Sequence, residues 1–167
     1  MMKISGKYPR VCRLKRSLDK KRLRLAAARA RYYVRRVKAE GSASRVRPVS
    51  GGRMADGQAL LADLADCKTE MDSAGQVFTA ERDKTRELLE QMSDPVSGTL
   101  LAGVLIEGDG LNVLRHALGM SKQGVYYRAH RAFGELEELM EENGYGESEH
   151  KGDKAPGGRS EREAWGA

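Results

Sequence analysis

The chain has 167 residues, 40% of them hydrophobic but only 5% aromatic, which is lean for one large core and argues against a large globular enzyme. Its net charge of +6 conceals a division: residues 1–53 carry 18 Lys/Arg against 2 Asp/Glu, and residues 54–167 carry 12 against 22. A basic segment of that density concentrates near polyanions and releases counterions as it neutralises phosphates, so nucleic acid is the first candidate partner. Cys12 and Cys67 stand far apart, with no CxxC or His/Cys grouping; neither a disulfide framework nor a zinc site is expected, and a reducing cytoplasm fits. The longest apolar run, Thr99 to Ile106, is much shorter than the ~20 residues that span a bilayer, so no membrane segment is expected. An Arg-rich, acid-poor beginning is also the composition of a mitochondrial transit segment, but the basic run continues past Arg47.

Scarce β-branched and aromatic runs predict an elongated, all-α protein. From about Arg10 to Glu40 there is no Gly or Pro, and Ala, Leu, Arg and Lys dominate, which predicts one long basic helix with an irregular stripe of Val11, Leu14, Leu18, Leu25, Val34 and Val37. Gly41 to Gly52 reads as a connector, giving a basic arm and linker over residues 1–52. A second long helix is predicted from Asp56, as N-cap, to about Met92. Its apolar positions recur at coiled-coil spacing through Leu60, Leu64, Cys67, Met71, Ala74 and Phe78, then Thr85, Leu88 and Met92, with Glu81 as the interruption. Its acids could pair it antiparallel with the basic first helix, forming a helical hairpin, or it could self-associate as a coiled coil.

Ser93-Asp94-Pro95 is a helix-start signal and opens a third unit, 94–143, after the coiled-coil-like stretch 53–93. Three short helices are predicted there: Pro95 to Ile106, Leu111 to Leu118, and Lys122 to about Glu142. The breaks between them fall at Glu107 to Gly110 and Gly119 to Ser121. The tail 144–167 is Gly-rich and polar, which predicts disorder with Trp165 exposed in it.

The segment LNVLRHALGMSKQGVYYRAHRAFGEL has the spacing of a helix-turn-helix: apolar helix, glycine at the turn, Ser cap, second amphipathic helix. Val113, Leu114, Ala117 and Leu118 are the expected core face of its first helix. Val125, Ala129 or Arg128, Ala132, Phe133, Leu136 and Met140 are the expected core face of the second. The outward face then presents Ser121, Lys122, Gln123, Tyr126 and Tyr127, flanked by Arg128, His130 and Arg131, as candidate contacts to duplex DNA. Gln can bond adenine through two hydrogen bonds, Lys can donate to guanine, a helix N-terminus suits phosphate, and Arg131 is placed for the backbone.

Those residues resemble the sigma-70 region 4-like proteins of phages and prophages, a group that includes late-transcription activators. The resemblance runs loosely over residues 45–142 and is strongest over Asp94 to Leu139, where LNVLRHALGMSKQGVYYRAHRAFGELEEL is similar to the ending of that family's domain; GGRMADGQALLADLADCKTEMD is similar to the helical stretch upstream. It implies DNA-reading residues early in the second helix, here Lys122, Gln123, Tyr126 and Tyr127, and the polymerase as a further partner. Gly124, the tyrosine pair and Gly110-Leu111-Asn112 depart from the family pattern.

Other chemistry finds little support. Glu107-Gly108-Asp109-Gly110 lacks the further ligands of a calcium loop, the three histidines have no metal or acid/base arrangement, and no phosphate loop or nucleophile motif occurs. The expectation is a non-enzymatic regulator of transcription without cofactor, acting on double-stranded DNA in the cytoplasm, with a second copy of the chain as a candidate partner in a homodimer. The competing expectations are a DNA-packaging adaptor of the small-terminase kind and a nucleic-acid-binding scaffold driven by the basic arm.

Overall fold

The computed structural model describes residues 6–43 and 53–145. All regular structure among these is helical, in the order α1 (Pro9–Ala43), α2 (Arg53–Glu90), α3 (Pro95–Ala102, prolonged by a wide turn, Gly103–Glu107), α4 (Leu111–Ala117) and α5 (Lys122–Glu142). Most of the expected connector and almost all of the expected disordered tail, Trp165 included, lie outside the described residues. Asp56 does not stand at a helix start, because α2 is already helical from Arg53.

Helix α1 begins at Pro9, whose ring presets the first helical φ and whose missing N–H needs no partner. The next amides find theirs elsewhere. Glu137 of α5 accepts the backbone N–H of Arg10 at 2.9 and 3.0 Å and that of Val11 at 3.0 Å, and Cys12 donates to the Tyr8 carbonyl. A carboxylate from the far end of the chain thus caps this helix, with the negative charge at the positive end of the helix dipole.

Helices α1 and α2 run antiparallel, as the order of their ion pairs shows: Lys21 with Glu81 at 2.8 Å, Arg31 with Glu70 at 3.0 Å and Arg35 with Asp63 at 3.0 Å. Glu81, the interruption in the apolar series of α2, sits in this seam and also accepts from the Ser17 hydroxyl at 3.0 Å. The expected stripe of α1 holds only for its first half. Val11, Leu14, Leu18 and Leu25 are buried, whereas Val34 and Val37 are 58% and 66% exposed. Ala28 replaces them on the face toward α2, packed with Leu25 and Ala74 in a small separate cluster.

The main core is continuous across the division expected at residues 93–94. Tyr8 just before α1, Val11, Leu14 and Leu18 within it, Leu88 and Leu89 at the end of α2 and Met92 just after it share it with Leu100, Leu101, Val104 and Leu105, Leu111 and Leu114, and the buried stripe of α5. Gly103 lets α4 approach: a Cβ there would lie 2.5 Å from the Leu114 side chain. The wide turn ends at Gly108, whose φ of 79° suits glycine. Arg22 of α1 lies over that glycine and reaches the Leu105 carbonyl at 3.5 Å, with Asp19 at 3.5 Å and the Phe78 ring beneath it.

Candidate nucleic-acid interface

The face of α5 that sequence spacing singles out depends on two caps. Asp94 stands before α3 in extended backbone; its carboxylate accepts from the Val96 amide at 3.1 Å and from the Ser97 hydroxyl at 2.7 Å. Those bonds, the Ser97 one foremost, together with Arg128, hold its pKa below the ordinary carboxylate value. Ser121 caps α5 in the same way, its Oγ accepting the Gly124 amide at 3.0 Å. Gly124 is not merely a weak helix former here, since a Cβ at that position would lie 3.0 Å from the capping hydroxyl. Between α4 and α5 the chain reverses through Gly119, at φ 62°, and the Met120 amide closes onto the Arg115 carbonyl at 2.8 Å.

The buried stripe of α5 is Val125, Ala129, Ala132, Phe133, Leu136 and Met140, so Ala129 rather than Arg128 occupies the ambiguous position. The core face of α4 differs from expectation. Leu111 and Leu114 are buried and Leu118 is half-buried, while Val113 is 60% exposed and Ala117 is also exposed. The Leu114 methyls fill the space over Gly103, and this rotates the short helix so that Leu111, one turn earlier, faces inward.

The eight candidate residues fall into three groups. Lys122, Gln123 and Tyr127 are exposed around the first turns of α5, Tyr127 at 76%, with Arg131 exposed one turn further on. Tyr126 is less open, at 38%. Arg128 is half-buried and faces Asp94, Nε to Oδ2 at 3.6 Å, so it ties α5 to the start of α3. His130 is exposed but borders α1: its carbonyl accepts from the Tyr8 hydroxyl at 3.1 Å and its ring lies 6.3 Å from the Tyr8 ring. Ser121 is occupied as the cap. A cleft of 620 Å³ runs between Ser93, Asp94 and Ser97 on one side and Gly124, Tyr127 and Arg131 on the other. Glu135, which accepts the Ser93 amide, and Asp94 line it together with Arg128 and Arg131, two carboxylates against two guanidinium groups.

A second set of cations emerges only in three dimensions. Arg10, Lys15, Lys21, Arg22, Arg31, Arg35 and Arg36 are all engaged in ion pairs. Arg13, Arg16, Lys20 and Arg24 are exposed, and no ion pair reaches them among the described residues. Their spacing of three, four and four residues puts them on one side of α1 over about 16 Å. With Ser17, Lys21, Ser73 and Val77 they line a groove of 490 Å³ along the α1–α2 seam. Sequence reasoning treated the whole basic arm alike; the 3-4-4 spacing was visible there, but not which charges are already neutralised. Among the described residues no group of His, Cys, Asp and Glu is arranged to hold a metal ion, and no helix is long and apolar enough to cross a membrane.

No protein-family model matches the chain, and no curated protein or solved structure matches it.

Proposed function

We propose that the protein binds double-stranded DNA without catalysing a reaction, that α4, the Gly119 turn and α5 act as a helix-turn-helix, and that α1 and α2 form a hairpin carrying a second, backbone-binding surface. One observation carries the reading: the capped first turns of α5 present Lys122, Gln123 and Tyr127 to solvent together, with Arg131 behind them. These are side chains that donate to base edges, stack or meet phosphate, at the end of a helix whose dipole favours an anion. Arg128 and Ser121 support this face rather than read from it, because the side chain of each is committed to a neighbour, while the His130 ring stays exposed at its flank. The open cations of α1 add affinity that is independent of sequence.

Within that reading, the resemblance to sigma-70 region 4-like phage and prophage proteins favours regulation of transcription in a bacterial cytoplasm, with polymerase as a further partner. The test is selection of bound sequences from a random duplex pool near physiological salt, with the Lys122→Ala/Gln123→Ala double variant alongside. The expected outcome is an enriched motif that is lost or relaxed in the variant while overall affinity falls less. Strong binding with no enriched motif would overturn sequence-specific reading and favour a packaging adaptor or scaffold.

A further inference from the structure

The exposed first turns of α5 and the open cations of α1 lie at opposite ends of α5, which with 21 residues is about 31 Å long. Helix α1 passes along α5 in the same direction, as the order of its contacts shows. Tyr8 meets His130 and Phe133, the amides of Arg10 and Val11 meet Glu137, and the Arg10 guanidinium reaches Glu141 at 3.2 Å. Arg13, the first of the open cations, accordingly shares a groove with Met140, Asn143 and Tyr145 at the far end of α5. Arg16, Lys20 and Arg24 follow along α1, beside Ser73 and Val77 of α2.

The side of α5 that carries Arg131 turns acidic toward that far end. Glu138 and Glu142 follow Arg131 at seven and eleven residues, which is the spacing of one helix face; both are exposed, and no ion pair reaches either among the described residues. A duplex laid along α5 from Lys122 toward Arg13 would carry its phosphates past these carboxylates, and like charge disfavours that path. Groove geometry disfavours it as well. The major groove is about 12 Å wide and about 8.5 Å deep, so it takes up about two turns of α5 and the rest of the helix leads out of it. The row on α1 therefore stands clear of the duplex that receives the first turns of α5.

We propose that the protein holds two duplex segments at once, one in its major groove by the first turns of α5 and one by its phosphates along Arg13, Arg16, Lys20 and Arg24. The second site has the features of backbone contact without base reading. Its row of about 16 Å matches nearly five base-pair steps of duplex, and no aromatic side chain lines its groove on which the bases of a single strand could stack. On one long DNA molecule the two segments are parts of the same duplex, and the phosphate contacts of the row add to the salt dependence of overall binding; on short duplexes they are two molecules. Bridging rests on DNA binding by α5 and adds a second duplex to it.

The test uses the full chain and two duplexes of about 20 base pairs, each about 68 Å long and so longer than the row. One duplex is immobilised, the other carries a fluorophore, and the readout is the fluorophore retained on the support at near-physiological salt. One variant removes the row (Arg13→Gln/Arg16→Gln/Lys20→Gln/Arg24→Gln) and another the α5 contacts (Lys122→Ala/Gln123→Ala/Arg131→Ala). All seven positions are exposed, and circular dichroism verifies that both variants stay helical. The expected result is retention of the second duplex by the unaltered chain, a loss of roughly tenfold or more with either variant although protein still reaches the immobilised duplex, and no recovery when the two variants are mixed. An unaltered chain that occupies the immobilised duplex but retains no second one would overturn bridging and leave DNA binding by α5 standing. So would a variant of either kind that retains as much as the unaltered chain, or a mixture that recovers retention, which would put the two contacts on different copies. A chain that occupies neither duplex would overturn DNA binding itself, and bridging with it.

Discussion

Glu81 and Gly103 show how single residues set the approach of one helix to another, Glu81 between α1 and α2 and Gly103 against α4. Burial disfavours the Glu81 carboxylate, yet hydrogen bonds from Lys21 and Ser17 and the nearby Lys84 outweigh it and bring its pKa below the ordinary 4.5. A carboxylate with a lowered folded pKa adds stability that is fully present above its unfolded pKa and is lost as pH falls through the folded value. Urea unfolding followed from pH 7 downward should therefore show a steeper loss of stability below the ordinary carboxylate range in the unaltered chain than in Glu81→Gln; parallel curves would mean the seam holds no such charge. At Gly103 a methyl group would meet Leu114 at 2.5 Å. Gly103→Ala is expected to cost about 1–3 kcal/mol through overpacking, read as a lower urea midpoint with an unchanged slope. A paired Leu114→Ala should recover part of the loss from Gly103→Ala, if the contact is its cause.

At the level of elements, α5 was legible from sequence almost to the residue. Its Ser cap, its glycine turn and a stripe repeating at the helical period are all local signals, and local signals decide a 21-residue amphipathic helix. Helix α4 was read one face wrong because seven residues make only two turns, and its rotation is set by Leu114 entering the space over Gly103, a contact from outside the helix. The far half of α1 was misread for a related reason: Val34 and Val37 are apolar at plausible spacing, but the face that α2 covers there is lined by Ala28, which composition gives no cause to prefer. The cap of α1 was beyond sequence reasoning altogether, since Glu137 lies 127 residues from the Arg10 amide that it accepts. Glu137→Ala should strip two amides of a charged acceptor and cost on the order of 1.5–3 kcal/mol, with faster hydrogen exchange localised to Arg10 and Val11. Uniformly faster exchange through all five helices would instead indicate a general loss of packing.

For the molecule as a whole, the sequence division between a basic and an acidic part becomes a division between neutralised and available charge. The acids of α2 and α5 engage much of the basic arm, and four cations of α1 remain open along the seam. The candidate site was legible in its residue types but not in this partition, because pairing depends on the tertiary approach of helices remote in sequence. If the open four meet phosphate, replacing Arg13, Arg16, Lys20 and Arg24 with Gln should reduce the slope of log K against log salt by about 3 to 4, at roughly 0.9 per phosphate, while the motif selected by α5 is unchanged. An unchanged slope would remove α1 from the DNA-binding surface. The capping of α1 by Glu137 has one more consequence. With its amino end gripped by α5 and Arg22 laid over Gly108, the α1–α2 pair is a lever clamped at its root. From Leu18 to Ala43 its arm is about 37 Å long, so a tilt of about 5° at α5 carries the tip through about 3 Å. A pair of probes, one at Lys38 and one on α4, would follow a ligand's arrival at α5 from the far end of the molecule.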